Sequence, residues 1–477
     1  MISRENKQRA EELKGLLERE GFSRIQFYLQ EQYGYEVNVF SQETDRKSVS
    51  RELRVFVEAW KEDQRYYTYA NSLECPQEIA GRLREAGQSE TSGGMSQEHP
   101  EAWTQDECDF SEKLCDTEKL CTLEDLRSTE EFSYVEEFCC AKELCREEEL
   151  LRRAERAALD HGADVVNECA CYHQRTETAI YHPERQWLED SGEYRYLGVS
   201  AIARADGDTA AAYAGAYGVP GEAFSPEMLA EEVAGEAKAR LHSVVLPSGV
   251  YKVLLKNTVM AELFEAYLPI FYGNAMQEGM SRLEGREKTR IASEKITVVE
   301  DPELEGGRET RTIDDEGNAV QKKYLIREGI FETALYHNAS AKEADEKQST
   351  GNGFKADFRS EIGTGVTNVE MRSSDGRGKT LEEMMRAAGE GILVTGIDGT
   401  FAGVDARTGN FSLISKGVVI REGKKAEAFS QVTIAGNFYE MLRQITEVGN
   451  DPAETPPSAA FVRAPSVYVG NLTVSGK

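Results

Sequence analysis

Apolar residues near the start of the chain fall at helical intervals. Ala10, Leu13, Leu16 and Leu17 share one face, and Gly21 closes the run. The period then drops to two: Ile25, Phe27 and Leu29 predict one strand, Tyr33, Tyr35, Val37 and Val39 a second, and Leu53, Val55 and Val57 a third. Pro76 suits a first helical position and opens a short helix to about Ala86. Much of this series recurs later. A helix over roughly 146–160 stops at His161-Gly162 and leads into alternation through Val166. Strands near 176–181 and 194–203 follow, and Ser225-Pro226 opens a helix to about Leu241. The pattern predicts two similar helix–sheet–helix modules.

From Val244 the texture shifts to strands and glycine turns. Val250 to Leu255 reads as a strand, and Asn257 as the N-cap of a helix to about Tyr272. Residues 291–299 predict a strand and 306–317 a loop. Phe411 to Arg421 and Lys424 to Val432 read as two strands joined at Glu422-Gly423, a hairpin signal. Asn437 with Glu440 resembles a capping box, before an apolar stripe of Phe438, Met441, Leu442, Ile445 and Val448 that Gly449 ends. The expected fold class is α+β, with N-terminal helix–sheet modules followed by a strand-rich C-terminal domain. Its divisions are an α+β module at 1–86, a linker and acidic Cys-rich helical insertion at 87–150, a second module at 151–243 completing the N-terminal domain, and a β-rich domain at 244–477.

Composition narrows the function classes. The chain has 477 residues and a formal charge of −29, which argues against nucleic acid and anionic membrane surfaces as partners, since both draw on Lys and Arg. Between Glu101 and Leu150, 17 acidic side chains face 5 basic ones, a net of −12, and six of the nine cysteines lie there. Their spacing lacks C-x₂-C pairs, so solvated acidic helices with partly buried thiols are expected rather than a zinc site. Cys169 and Cys171 alternate on a strand and share one face, as small core residues. The odd cysteine count and the lack of a signal core or a spanning segment suggest free thiols and a cytoplasmic location.

Catalytic motifs are sparse. His99, His161, His173, His182, His242 and His337 include no i, i+4 pair, and H-E-x-x-H is missing. His173 and His182 are read as surface residues flanking a hairpin. No nucleophile elbow, P-loop or dinucleotide fingerprint occurs. The Thr350-Gly351-Asn352-Gly353 loop is read as an ordinary glycine turn, although its amides are candidates for a ligand contact.

The last third carries an ordered series of motifs. Thr408-Gly409-Asn410-Phe411-Ser412, Gly417-Val418-Val419-Ile420-Arg421-Glu422-Gly423, Val432-Thr433-Ile434-Ala435-Gly436-Asn437-Phe438 and Val448-Gly449-Asn450-Asp451 resemble the TldD/PmbA family. Ser349 to Gly353, Thr367-Asn368-Val369 and Gly389 to Thr395 are similar to family segments too. The resemblance covers roughly 146–477, only loosely 1–86, and not the acidic insertion.

The resemblance implies a choice between two kinds of subunit. TldD-type subunits are zinc metallopeptidases with an H-E-x-x-x-H helix and a later cysteine ligand; TldE (PmbA-type) subunits lack that site and partner the catalytic one. Ungapped counting back from Val298-Val299-Glu300-Asp301 places the motif on Phe264 to Pro269. Glu265 then stands at the general-base position, and Phe264 and Pro269 replace the two histidines. No histidine lies between His242 and His337, and no cysteine follows Cys171. The implied reading is a non-catalytic, metal-free TldE/PmbA-like subunit with no cofactor. It would act on peptides or unfolded proteins beside a TldD-type subunit or as a homodimer, with Glu265 a solvated or salt-bridged residue. The alternatives are a self-associating scaffold of the same fold with no peptidase partner and, behind it, an enzyme using carboxylates or a thiolate. An older family label, modulator of DNA topology, finds no physical support in the −29 charge.

Overall fold

The computed structural model describes residues 2–89, 141–218, 225–344, 348–456, 458 and 460–477. Most of the expected linker and acidic insertion, with Cys108, Cys115, Cys121, Cys139 and Cys140, lies outside the described residues.

Two similar chain segments build the first sheet. Helix α1 (Arg4–Arg19) leads into β1 (Ser23–Phe40), β2 (Glu43–Lys61), β3 (Gln64–Ala70) and α2 (Pro76–Ser89). Helix α3 (Ala141–Asp160) leads into β4 (Val165–His182), β5 (Gln186–Ala205), β6 (Asp208–Gly218) and α4 (Pro226–Ala239). All six strands form one antiparallel sheet in the order β3-β2-β1-β4-β5-β6, so the two meanders meet at β1 and β4. The two strands expected between Ile25 and Val39 are one. Their apolar positions share odd parity, and Glu31, which broke the pattern, occupies the same buried face. Arg51 Nε donates to its carboxylate at 2.9 Å, so the charge interrupts the hydrophobic pattern without interrupting the backbone. His173 and His182 both belong to β4. His173 is buried rather than superficial, with Nε2 2.6 Å from Glu193.

Helices cover one face of this sheet. Val37, Val39, Cys169, Cys171 and Val199 meet Leu151, Ala154, Val233 and Ala237, while Phe27, Leu29, Val55 and Val57 meet Leu13, Leu17, Ile79 and Leu83. Cys169 and Cys171 do share that face. Burial pushes the Cys169 thiol up to about 12 and the Cys171 thiol well above its ordinary value.

The C-terminal region holds two further sheets and a small hairpin. Strands β7 (Gly249–Leu255), β14 (Gly391–Asp398), β15 (Asn410–Arg421), β16 (Lys424–Asn437), β17 (Glu447–Val448) and β20 (Val467–Ser475) follow the order β16-β15-β14-β7-β20-β17. Because β16 also pairs with β20, five strands of this sheet close on themselves, with the two-residue β17 lying against β20 outside that ring. The second sheet has the order β10-β9-β8-β13-β19-β18, with β8 (Ile296–Glu300), β9 (Lys323–Arg327), β10 (Ile330–Phe331), β13 (Asn368–Ser373), β18 (Ala453–Glu454) and β19 (Phe461–Ala464). The pair β11 (Gly353–Lys355) and β12 (Ile362–Thr364) stands apart. Between the two main sheets runs helix α5 (Asn257–Tyr267). Glu422 and Gly423 have φ of 49° and 72°, as a two-residue turn between β15 and β16 requires.

Three helix boundaries differ from expectation, the first being the end of α5 at Tyr267, where a 3-10 turn over Leu268–Phe271 replaces the α-helix expected to about Tyr272. Asn257 is the first residue of α5, not its cap; Lys256 takes that place, and the Asn257 side chain donates to the Asp451 carbonyl at 2.7 Å. Asn437 does cap its helix by accepting from Glu440 N. That helix stops at Gln444, however, because Glu447 and Val448 pair with β20 instead. Strand formation there outweighs continuing the apolar stripe.

The segment 307–315 straps the first sheet to the C-terminal region. Arg308 donates to Tyr217 Oη at 3.3 Å and to the Ser458 carbonyl at 3.0 Å. Arg311 lies between Asp190 at 3.2 Å and Asp315 at 2.8 Å.

Candidate functional site

One face of α5 packs into the largest core and the other borders a cleft. Val259, Met260, Leu263, Phe264 and Tyr267 are buried, with Tyr267 stacked on Phe438 at 4.0 Å between ring centroids. The Tyr267 hydroxyl lies 2.9 Å from both the Gly409 and the Asn410 carbonyls, which ties α5 to the start of β15. At the opposite end, Asp451 accepts from Ser466 N and Oγ, and Ser466 Oγ accepts from Asn257 N at 3.0 Å. The Gly449-Asn450-Asp451 segment therefore seats the beginning of α5.

The cleft has a volume of about 1030 Å³. Glu262, Glu265, Ala266 and Pro269 form its helical wall. The β11–β12 pair faces them through Phe354, Lys355 and Thr364, and the end of β14 contributes Asp398 beside Phe401. Helical phase decides which positions reach this space. Phe264 points wholly into the core, so of the three positions matched to the metal motif only Glu265 and Pro269 border the cleft.

Glu265 is anchored by hydrogen bonds rather than by an ion pair. Ser458 Oγ donates to Oε2 at 3.0 Å and Ala460 N donates to Oε1 at 3.1 Å. Burial raises its proton affinity and these donors pull it back. Glu262, one turn earlier on the same face, has no such donors among the described residues. Burial first, then the charges of Asp398 and Glu265, push its carboxyl up to about 7, with Lys416 opposing. Sequence reading missed Glu262 and Asp398. The signal for Glu262 was its i, i+3 spacing from Glu265; nothing local pointed to Asp398.

The remaining candidates serve the fold. Asn352 is buried and donates from Nδ2 to Glu300 at 2.8 Å and to the Gly365 carbonyl at 2.9 Å. The Thr350, Gly351 and Gly353 amides donate to the Tyr336 carbonyl, Ser349 Oγ and Asp314 Oδ2, so these three are engaged within the fold. His337 shares its Nδ1 with Thr364 and Ser340 hydroxyls, each at 2.9 Å.

A tightly held zinc ion needs three protein ligands of imidazole, thiolate or carboxylate type. Between Asn257 and Gly273 the chain offers neither imidazole nor thiolate in any register. Among the described residues no three His, Cys, Asp or Glu side chains are grouped to hold a metal ion. The residues along this cleft do not fit zinc. Nor is any helix among the described residues long and apolar enough to cross a membrane.

Comparison with known proteins matches residues 248–476 to the family described as PmbA/TldA metallopeptidase C-terminal domain. Metalloprotease PmbA of Escherichia coli O157:H7 is 27% identical over 328 residues, covering 68% of each chain. A metalloprotease TldD homolog of Buchnera aphidicola (from Acyrthosiphon pisum) is 29% identical over 252 residues, spanning 50% of this chain and 49% of that protein. The crystal structure of TldE from Thermococcus kodakarensis shares the fold, with a TM-score of 0.77 at 20% identity over 98% of this chain and all of the other.

Proposed function

The chain belongs to the TldD/PmbA family through its C-terminal domain, and we propose that it is the metal-free, TldE/PmbA-like subunit of a peptidase complex. It would pair with a zinc-bearing TldD-type subunit and help to enclose an extended peptide. One observation supports the reading: the stretch from Glu262 to Pro269, onto which the family's metal motif is counted, lines the cleft with two carboxylates, an alanine and a proline and holds no imidazole or thiolate. Glu265 is then a structural residue, its two oxygens accepting hydrogen bonds from Ser458 and Ala460.

Zinc content by elemental analysis, together with a peptidase assay on the purified chain, tests the reading. The expected result is substoichiometric zinc and no cleavage by the chain alone. Co-purification from the native cell should bring down a relative containing H-E-x-x-x-H. Stoichiometric zinc with robust cleavage by this chain would overturn the proposal, and self-association without a peptidase partner would favour a scaffold.

A further inference from the structure

The cleft is electrostatically one-sided. Among the described residues that line it, Glu262, Glu265, Glu361 and Asp398 are acidic and Lys355 is the one basic side chain. These charges are not equally available. Glu361 is paired with Arg65 at 2.6 Å, Glu265 is held by Ser458 and Ala460, and Lys355 donates to the Ser360 carbonyl while lying 3.5 Å from the centroid of the Phe56 ring. Glu262 forms no ion pair among the described residues. Among the described residues Asp398 has only Lys416, at 3.7 Å, with the Asp398 side chain 62% exposed. Glu262 and Asp398 therefore face the cavity as a repelling pair without a strong counter-ion.

Next to them stands an aromatic ring with almost nothing on it. Phe401 is 96% exposed, although it borders the cleft. It belongs to the short helical turn Thr400–Gly403, which Gly399 enters at a φ of 89°. Ile414, 58% exposed, is paired with Asp398 across β14 and β15, so an apolar patch adjoins the acidic pair. An exposed aromatic beside weakly compensated carboxylates is a surface complementary to a chain bearing an apolar group next to a cation.

From these features we infer that the cleft takes an extended peptide carrying a basic side chain between Glu262 and Asp398 and an apolar side chain against Phe401. This rests on the peptide-binding reading above and specifies the substrate class. A guanidinium or ammonium between the two carboxylates relieves their mutual repulsion, and that relief is the source of the selectivity. Binding then releases the proton that Glu262 holds near neutral pH, so affinity rises from pH 5 to pH 8. The groups acting on Glu262 in that range are Asp398, Glu265 and Lys416.

Fluorescence anisotropy with the full chain tests the inference. The probes are labelled hexapeptides containing an Arg-Phe pair, the neutral citrulline-Phe isostere, a Glu-Phe counterpart and an Arg-Ala counterpart. The expected order is Arg-Phe tightest, with citrulline-Phe and Arg-Ala each about tenfold weaker and Glu-Phe weaker still. The preference for Arg over citrulline should shrink with added salt and vanish in the Glu262→Gln, Asp398→Asn double variant. Phe401→Ala, at a position with little to lose on truncation, should keep the thermal midpoint and remove only the preference for Phe over Ala. Equal binding of the Arg and citrulline peptides, or no binding of any probe, overturns the inference. Neither result touches the metal-free reading, which zinc content and partner capture decide separately.

Discussion

Replacing Glu262 by Gln tests the electrostatics of the cleft without removing packing volume. In the unfolded chain this carboxyl ionises near 4.5; in the folded protein burial and the Asp398 and Glu265 charges hold its proton up to about 7. The folded state therefore binds more protons than the unfolded state between those values, and Glu262 costs stability progressively as pH rises through that window. Below the window it costs almost nothing; above it the cost is complete. At ~1.4 kcal/mol per pH unit of displacement, the ceiling is about 3.4 kcal/mol. The side chain borders an open cleft, so solvent screening reduces this to about 1–2 kcal/mol. Gln carries no charge and escapes the cost. Urea midpoints of the two proteins, measured from pH 4.5 to pH 8, should nearly coincide at the acid end and separate steadily, with Glu262→Gln the more stable at pH 8. A constant gap across the series, or a less stable variant at pH 8, would refute the reasoning. A gain in stability coupled to weaker binding of basic peptides is the pattern expected where a residue is kept for function.

Two further outcomes follow from the packing. Tyr267→Phe loses a hydroxyl that bridges two carbonyls, but Gly409 O still accepts from Phe438 N and Asn410 O from Asp405 N. The thermal or urea midpoint should therefore report a loss of only about 1 kcal/mol, well short of that for an orphaned buried group. In native protein Cys75 and Cys145 are exposed and Cys169 and Cys171 buried. Timed alkylation read by peptide mass spectrometry should label the first two readily and the second two only after denaturation, because both access and thiolate formation are suppressed there. Rapid native labelling of Cys171 would contradict that burial.

Much of the fold was legible because it depends on local periods. Alternation identified the strands around Phe27, Val55 and Phe411, and the Glu422-Gly423 and Asn437 signals marked a hairpin and a helix start that the structure contains. Legibility failed where a local rule competed with a distant contact. The strands ending at Leu29 and starting at Tyr33 read as separate until Arg51 supplied a partner for Glu31 between them, and Val448 read as helix until it and Glu447 paired with β20. His173 read as superficial because nothing nearby announces Glu193, which reaches it across a strand pair.

The sequence alone determined the type and order of most elements, the family motifs of the C-terminal domain, and the lack of histidine and cysteine where a zinc site would be expected. These are matters of residue identity and of periods of 2 and 3.6, and they need no knowledge of what packs where. Tertiary structure decided which of those residues meet. It turned Phe264 into the core and Glu262 into the cleft and joined Glu265 to Ala460 across 195 residues of sequence. It also set Asp398 and Phe401 beside a helix more than a hundred residues away in sequence. Such contacts form because closed sheets and close-packed interiors admit few arrangements, and that selection acts on the whole chain rather than on any window of it.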